Sequence, residues 1–78
     1  MNAIQNHFAV SRIMLDIRFA EDSGEFGTSA PLLRYVAALN PDATRQQFVD
    51  AAESCGYKRN TAANRFRESR KFDEENAA

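Results

Sequence analysis

Cationic and amide side chains crowd a short stretch near the carboxyl end of the chain. Residues 58–71 contain six lysines and arginines but a single acidic residue, Glu68, and Asn60 and Asn64 stand among them. Guanidinium and ammonium groups bind phosphates, and an asparagine amide both donates and accepts hydrogen bonds. This composition is typical of a surface that binds a polyanion.

The rest of the chain is acidic, although the formal net charge of all 78 residues is only −1. Residues 1–57 sum to −3, residues 58–71 to +5 and residues 72–78 to −3. A cationic segment inside an acidic chain indicates an anionic partner for that segment rather than a general attraction of the whole protein to anions.

Length and composition exclude several classes of function. A chain of 78 residues forms one small domain with a thin core, so we expect no deep catalytic pocket and no enzyme activity. With one cysteine, Cys55, and one histidine, His7, we expect no disulfide, no metal site and no cofactor. No apolar run is long enough to span a membrane and the first residues do not form a secretion signal, which predicts a cytoplasmic protein.

Polar and glycine-containing breaks divide the chain into four segments. They lie at residues 21–27, at Asn40-Pro41-Asp42 and at Cys55-Gly56-Tyr57. Apolar spacings of three and four predict an all-α fold with three helices between residues 28 and 72. We expect residues 1–27 to form an N-terminal packing segment with a loop, and residues 73–78 to form an acidic tail.

The N-terminal segment, residues 6–20, fits two patterns. Val10, Ile13 and Ile17 lie on one helical stripe, but apolar and polar residues also alternate between residues 13 and 19 as in a strand. We favour the helix and keep a short strand as the alternative. The segment holds more large apolar residues than one small core face can bury, so we expect a homodimer contact through residues 8–19.

The third and fourth segments carry the spacing of a helix-turn-helix. Ala52 supplies a small residue where a second helix can cross closely, and Gly56, four residues later, permits a sharp turn. We expect Ala63 and Phe66 to face the core from the second helix. Placing them there requires a turn one residue longer than in the commonest form of the motif.

The polar face of the second helix supplies the residues expected to bind duplex DNA. Base edges meet the first half of a recognition helix, and the residues predicted to read them are Asn60, Thr61, Asn64 and Arg65. The residues expected to hold phosphates are Thr44, Arg45, Gln46, Lys58, Arg59, Arg67, Arg70 and Lys71. Thr44 and Gln47 also match a capping box, which would begin the first helix of the motif at this point.

Residues 43–71 resemble the short helix-turn-helix domains of plasmid- and phage-borne regulators, among them plasmid stability proteins of the StbA type. The likeness lies in residues 44–52 and 56–66, above all in Asn60-Thr61-Ala62-Ala63, and in Arg70-Lys71. The resemblance implies sequence-specific binding to repeated or palindromic sites near a promoter or a plasmid stability locus.

These features predict a sequence-specific double-stranded DNA-binding protein. We expect it to act as a transcriptional repressor or as a stability or segregation factor of a plasmid or other mobile element. The alternative is a small phage or mobile-element protein that binds and inhibits another protein, which the acidity of the rest of the chain favours slightly. Retardation of duplex DNA at low salt separates the two functions.

Overall fold

A computed structural model of the chain consists of four α-helices. The structure describes the backbone of residues 2–77 and the side chains of residues 2–71, and no strand occurs within that part of the chain. The helices are α1 (Ala3–Ser23), α2 (Ser29–Leu39), α3 (Arg45–Ser54) and α4 (Arg59–Ala77). The predicted all-α class is confirmed, and the N-terminal segment is a helix rather than a strand. Helix α4 runs past residue 72, while the side chains of the predicted acidic tail lie outside the described residues.

Helix α1 begins at Ala3, ahead of the predicted start at Asn6, because Asn2 caps it. The Asn2 side chain accepts a hydrogen bond from the Gln5 amide at 2.8 Å, and the Gln5 side chain accepts one from the Asn2 amide. This reciprocal pair is a capping box. The helix ends at Gly24, which adopts a left-handed conformation with φ +68°.

The core is formed where α2 and α3 each pack against both α1 and α4. The largest completely buried side chains are Ile13, Ile17, Leu33, Val36 and Phe48. Phe48 of α3 lies against Phe66 of α4, with 5.6 Å between the ring centres. Beside these rings, Ala52 and Ala62 have no exposed surface. Small side chains at these two positions allow α3 and α4 to approach closely.

A Schellman motif stops α3 and turns the chain into α4. The Gly56 amide donates to the Glu53 carbonyl and the Tyr57 amide donates to the Ala52 carbonyl, both at 3.0 Å. Gly56 has φ +98°, which confirms the predicted left-handed stop. Tyr57 packs on the core, and its hydroxyl donates to a carboxylate oxygen of Glu21 at 2.8 Å. Burial of the Tyr57 side chain and, to a smaller extent, this hydrogen bond raise the pKa of the Tyr57 phenol to about 12.

The inward face of α4 differs from the prediction at one position. Ala62 is completely buried and Ala63 only partly, so the inward pair is Ala62 and Phe66 rather than Ala63 and Phe66. At about 100° per residue, Ala62, Phe66 and the buried Ser69 share one face, while Ala63 lies roughly 90° from its centre. Phe66 faces the core as predicted, so only the first member of the inward pair differs from the prediction.

Two kinds of site are missing from the part of the chain that the structure describes. No helix there is long and apolar enough to cross a membrane. The described side chains of His, Cys, Asp and Glu also form no group of three or more that could hold a metal ion.

Cys55, at the end of α3, is partly buried, and this burial raises the pKa of its thiol.

Substitution of Gly56 tests the left-handed turn between α3 and α4. We expect Gly56→Ala to lower the free energy of unfolding by about 1 kcal/mol, because alanine is strained at this positive φ. An added methyl group would meet no atom within 4 Å, so the loss comes from the backbone alone. Urea unfolding followed by circular dichroism measures it.

Gly27→Ala is the matched control for this variant. Gly27 lies outside the left-handed region, and a methyl group added there also meets no atom within 4 Å. We expect no loss of stability at Gly27, because alanine also restricts the unfolded chain. Equal losses in the two variants would contradict the role assigned to Gly56.

Candidate nucleic-acid interface

One face of α4 is polar and cationic along most of its length. Four side chains lie on this face. At about 100° per residue they fall within roughly 60° of arc, on the side of the helix opposite to Ala62. They are Asn60, Asn64, Arg67 and Lys71, and all four are exposed. We call these four residues the α4 stripe.

Two shallow grooves join the α4 stripe to the start of α3. Arg45, the first residue of α3, lines both grooves, and Gln46 lines one of them. The described lining contains arginine, lysine, asparagine and glutamine side chains together with three apolar residues, and no acidic residue. This surface therefore offers hydrogen-bond donors and positive charge, while the carboxylates of Asp50 and Glu53 pair with Arg59, which lines the smaller groove.

The start of α3 is held by the predicted capping box, which is confirmed. The Thr44 hydroxyl accepts from the Gln47 amide at 3.1 Å, and the Gln47 side chain accepts from the Thr44 amide at 3.0 Å. The buried Gln47 side chain also donates to the Asn6 side chain of α1 at 3.2 Å. Arg45 and Gln46 thus stand on an anchored helix start, where backbone amides favour an anion.

Arg59 is already engaged within the fold. Its guanidinium pairs with Asp50 and Glu53 of α3, each at 3.0 Å. The hydrogen bonds to these two carboxylates raise the pKa of Arg59. Arg59 therefore ties the first residue of α4 to α3, and two carboxylates offset its charge.

Thr61 and Arg65 lie on a different flank of α4 from the α4 stripe, about 90–130° around the helix. The Arg65 guanidinium pairs with Glu68 at 2.8 Å, and Glu68 also pairs with Arg34 of α2 at 3.0 Å. The Arg65 side chain is 25% exposed. Its Nε atom is buried without a hydrogen-bond partner. The structure thus brings Asn60 and Asn64 together and separates them from the other two predicted base-reading residues.

Arg70 is partly buried, and its side chain points toward α2 and the loop before α3 rather than into solvent. Its guanidinium donates to the carbonyl of Ala37 at 2.9 Å, of Asn40 at 2.8 Å and of Ala43 at 3.4 Å. The guanidinium carbon is also 4.3 Å from the centre of the Phe66 ring. We call this set of contacts the Arg70 clamp. It joins α4 to the end of α2 and to the loop before α3.

The remaining predicted cations point away from the fold. Arg45, Lys58, Arg67 and Lys71 are exposed and form no ion pair within the described part of the chain. Three of them flank the two grooves, and Lys58 immediately precedes α4. The structure thus divides the predicted phosphate-binding cations into four that face solvent and two, Arg59 and Arg70, that bind protein groups.

Sequence reasoning missed one candidate contact on this face. Ala63 lies between Asn60 and Asn64 along the helix and lines both grooves. The sequence pattern assigned it to the core with Phe66. The helical phase of Ala62 and Phe66 could have placed Ala63 outside the core, because the two buried residues are four apart and define one face.

Comparison of the chain with known protein families, with curated proteins and with solved structures found no match. The resemblance to plasmid- and phage-borne regulators therefore stays a prediction.

The Arg70 clamp is tested by a substitution that removes the hydrogen bonds of Arg70 but keeps a long side chain at this position. We expect Arg70→Met to lower the free energy of unfolding by about 2 kcal/mol, because a charged donor is removed and three carbonyls lose a partner. The methionine side chain can still cover Phe66. Thermal and urea unfolding measure the difference.

Lys71→Met is the control, since Lys71 is the exposed neighbour of Arg70 on the same helix. We expect its effect on stability to stay within about 0.5 kcal/mol. An Arg70→Met protein as stable as the Lys71→Met protein would show that the clamp contributes nothing to the fold.

Proposed function

We propose that the chain is a sequence-specific double-stranded DNA-binding protein in which α3 and α4 form a helix-turn-helix. The proposed role is repression of a small operon, or stability and segregation of a plasmid or other mobile element. The observation that carries the proposal is the α4 stripe beside Arg45, a cationic and amide surface whose described lining contains no acidic residue, in an otherwise acidic chain.

The helix-turn-helix part of the proposal is supported by how α3 and α4 meet. The Schellman turn at Gly56 ends α3 sharply, and the buried Ala52 and Ala62 allow the next helix to cross close to it. Arg59 holds α4 at its first residue, and the Arg70 clamp holds it near residue 71, the last whose side chain the structure describes. A helix held in this way keeps its outer face in a fixed position for a groove.

The proposed base-reading residues are fewer than the sequence predicted. Asn60 and Asn64 share the α4 stripe, and an asparagine amide can pair with the N6 and N7 atoms of adenine. Ala63 lies between them, where its methyl group can contact the methyl group of thymine. Thr61 and Arg65 are left out because they occupy the other flank, where Arg65 is held by Glu68.

The proposed phosphate contacts come from the cations that face solvent. Arg45 and Arg67 lie on the two sides of the larger groove, and Lys71 lies farther along α4. Lys58 stands just before α4, and the exposed Thr44 and Gln46 add polar groups at the start of α3. Phosphate contacts of this kind set the position of a protein on the duplex without reading sequence.

The acidic remainder of the chain supports one orientation on DNA. Asp16, Glu21 and Asp22 lie on α1, which packs on α2 and α3. Arg12 and Arg18 pair with two of these carboxylates, so α1 is only weakly acidic, and the phosphate backbone would be attracted mainly to the exposed cations of the α4 stripe. A low net charge is therefore compatible with DNA binding when the cations are segregated.

The phosphate contacts are tested by the salt dependence of binding to duplex DNA. We expect Arg67→Ala and Lys71→Ala each to reduce the slope of log K against log salt by about 0.9 for every phosphate that the variant no longer neutralises. Both variants should weaken binding to all duplexes alike, because phosphates carry no sequence information. Fluorescence anisotropy over a range of salt concentrations measures the slope.

Arg18→Ala is the matched control for charge. It removes one exposed cation from α1 and gives the same net charge as the other two variants. We expect it to leave the slope unchanged. A wild-type protein that retards no duplex even at low salt would reject DNA binding altogether and leave the protein-partner alternative.

The base-reading face is tested with a site enriched from a random duplex pool. We expect Asn64→Ala to lose about 1–3 kcal/mol of discrimination between the enriched duplex and a scrambled one, because a bidentate base contact is removed. Its affinity for the scrambled duplex should stay near that of the wild type. Thr61→Ala, a truncation of similar size on the other flank, should keep full discrimination. The reverse result would move base reading to the flank of Thr61 and Arg65.

A further inference from the structure

The solvent-facing side of α1 carries four large apolar side chains, two on each side of a polar centre at Ser11 and Arg12. Ile4, Phe8, Leu15 and Phe19 are 67, 66, 55 and 70% exposed, respectively. At about 100° per residue these four positions fall within roughly 60° of arc, so they form one line about 22 Å long. We call this line the α1 stripe. The opposite side of the same helix buries Ile13 and Ile17 in the core.

We propose that the α1 stripe binds the α1 stripe of a second copy of the chain in an antiparallel helix pair. The proposal does not depend on DNA binding, because the surface lies on α1 and is independent of the α4 stripe. It specifies both the partner and the register of the contact.

The apolar area of the α1 stripe is large for a surface that stays in water. From the exposed fractions and the usual size of these side chains, the four residues expose roughly 500 Å² of apolar surface. Monomeric proteins seldom leave contiguous apolar patches much larger than a few hundred Å² in water. Two copies that covered this surface completely would bury about 1,000 Å² of apolar area, just below the 1,200–2,000 Å² or so of total area in stable interfaces.

The spacing of the α1 stripe is self-complementary about a two-fold axis. An antiparallel pair centred between Ser11 and Arg12 places Ile4 opposite Phe19 of the partner subunit and Phe8 opposite Leu15 of the partner subunit. Each large apolar side chain thus meets another, and the same contacts recur on both sides, as a two-fold interface requires. No shift of register is needed to match all four positions.

The polar centre and one end of the α1 stripe fit this register. At the centre, Arg12 lies 3.5 Å from Asp16 of its own helix, which offsets its charge near the axis. At one end, Phe19 lines a shallow groove together with Tyr35 and Leu39 of α2, both of which are exposed apolar residues. Ile4 of the partner subunit would lie against this groove, so the contact would cover the six exposed large apolar side chains among the described residues.

Sedimentation without DNA tests the dimer. We expect the wild-type chain to sediment as a dimer, at twice 8.8 kDa, and Phe8→Glu to sediment as a monomer with an unchanged circular dichroism spectrum. Phe8 is exposed, so this substitution leaves the fold intact. Gln46→Glu, the same change of charge on α3, should remain dimeric. A wild-type monomer at every concentration up to millimolar, or a Phe8→Glu dimer, would overturn the proposal.

Disulfide trapping tests the register, in a Cys55→Ala background that removes the native thiol. In the antiparallel pair the two copies of residue 11 lie near the axis, whereas the two copies of residue 4 lie about 22 Å apart along it, too far for a disulfide. We expect Ser11→Cys to cross-link on oxidation and Ile4→Cys to cross-link only when mixed with Phe19→Cys. Self-cross-linking of Ile4→Cys at the rate of Ser11→Cys would indicate a parallel pair and reject the register.

Discussion

The guanidinium of Arg70 fixes the helix on which the candidate interface depends. The last carbonyls of a helix have no partner within it, and those at the end of α2 would otherwise face a crowded junction with α4. Arg70 satisfies the carbonyls of Ala37 and Asn40 and reaches the carbonyl of Ala43, while its plane lies over Phe66. Because these carbonyls flank the loop that leads into α3, one side chain sets α4 relative to both neighbouring helices. The distance from the α4 stripe to Arg45 follows from this placement.

Positive charge in this protein serves two separate purposes, which composition alone does not separate. Arg59 and Arg70 hold α4 in place through carboxylates and carbonyls of other elements, while Arg65 pairs with Glu68 of α4 itself. Lys58, Arg67 and Lys71 face solvent, where Arg45 of α3 joins them. The sum of +5 over residues 58–71, which already includes Glu68, therefore overstates the charge available to a partner, because Asp50 and Glu53 offset the charge of Arg59. Arginine is suited to the structural role, since its planar fork satisfies several acceptors at once.

The features that could be predicted from the sequence are those that arise within a few residues. The capping box of Thr44 and Gln47 and the stop at Gly56 depend on neighbouring backbone atoms, and both were predicted correctly. The prediction for the inward face of α4 was wrong at Ala63, because a spacing of three from Ala63 to Phe66 is as helical as the spacing of four from Ala62 to Phe66 that the structure adopts. The partners of Arg70 lie 27 to 33 residues before it, so no local pattern identifies the clamp. The separation of Arg65 from Asn64, by contrast, follows from helical phase, and its partner Glu68 is only three residues away, so the sequence could have indicated both.

Helices α1 and α4 both keep an outer face that the fold does not bury, and the two faces differ in chemistry. Helices α2 and α3 pack on the inner side of α1, so no element of this small domain is left to cover the α1 stripe on its outer side. The α4 stripe is short as well. Together with Arg45 and Lys58, its two cations would make four phosphate contacts per chain. Four contacts correspond to a slope of log K against log salt of only about 3.6 in magnitude. In the proposed dimer the apolar face of α1 would join two such cationic faces, and binding of the second to the same duplex would then be intramolecular. Pairing through α1 would thus raise the affinity of the proposed interface for any duplex that both α4 stripes reach, without any further contact to DNA.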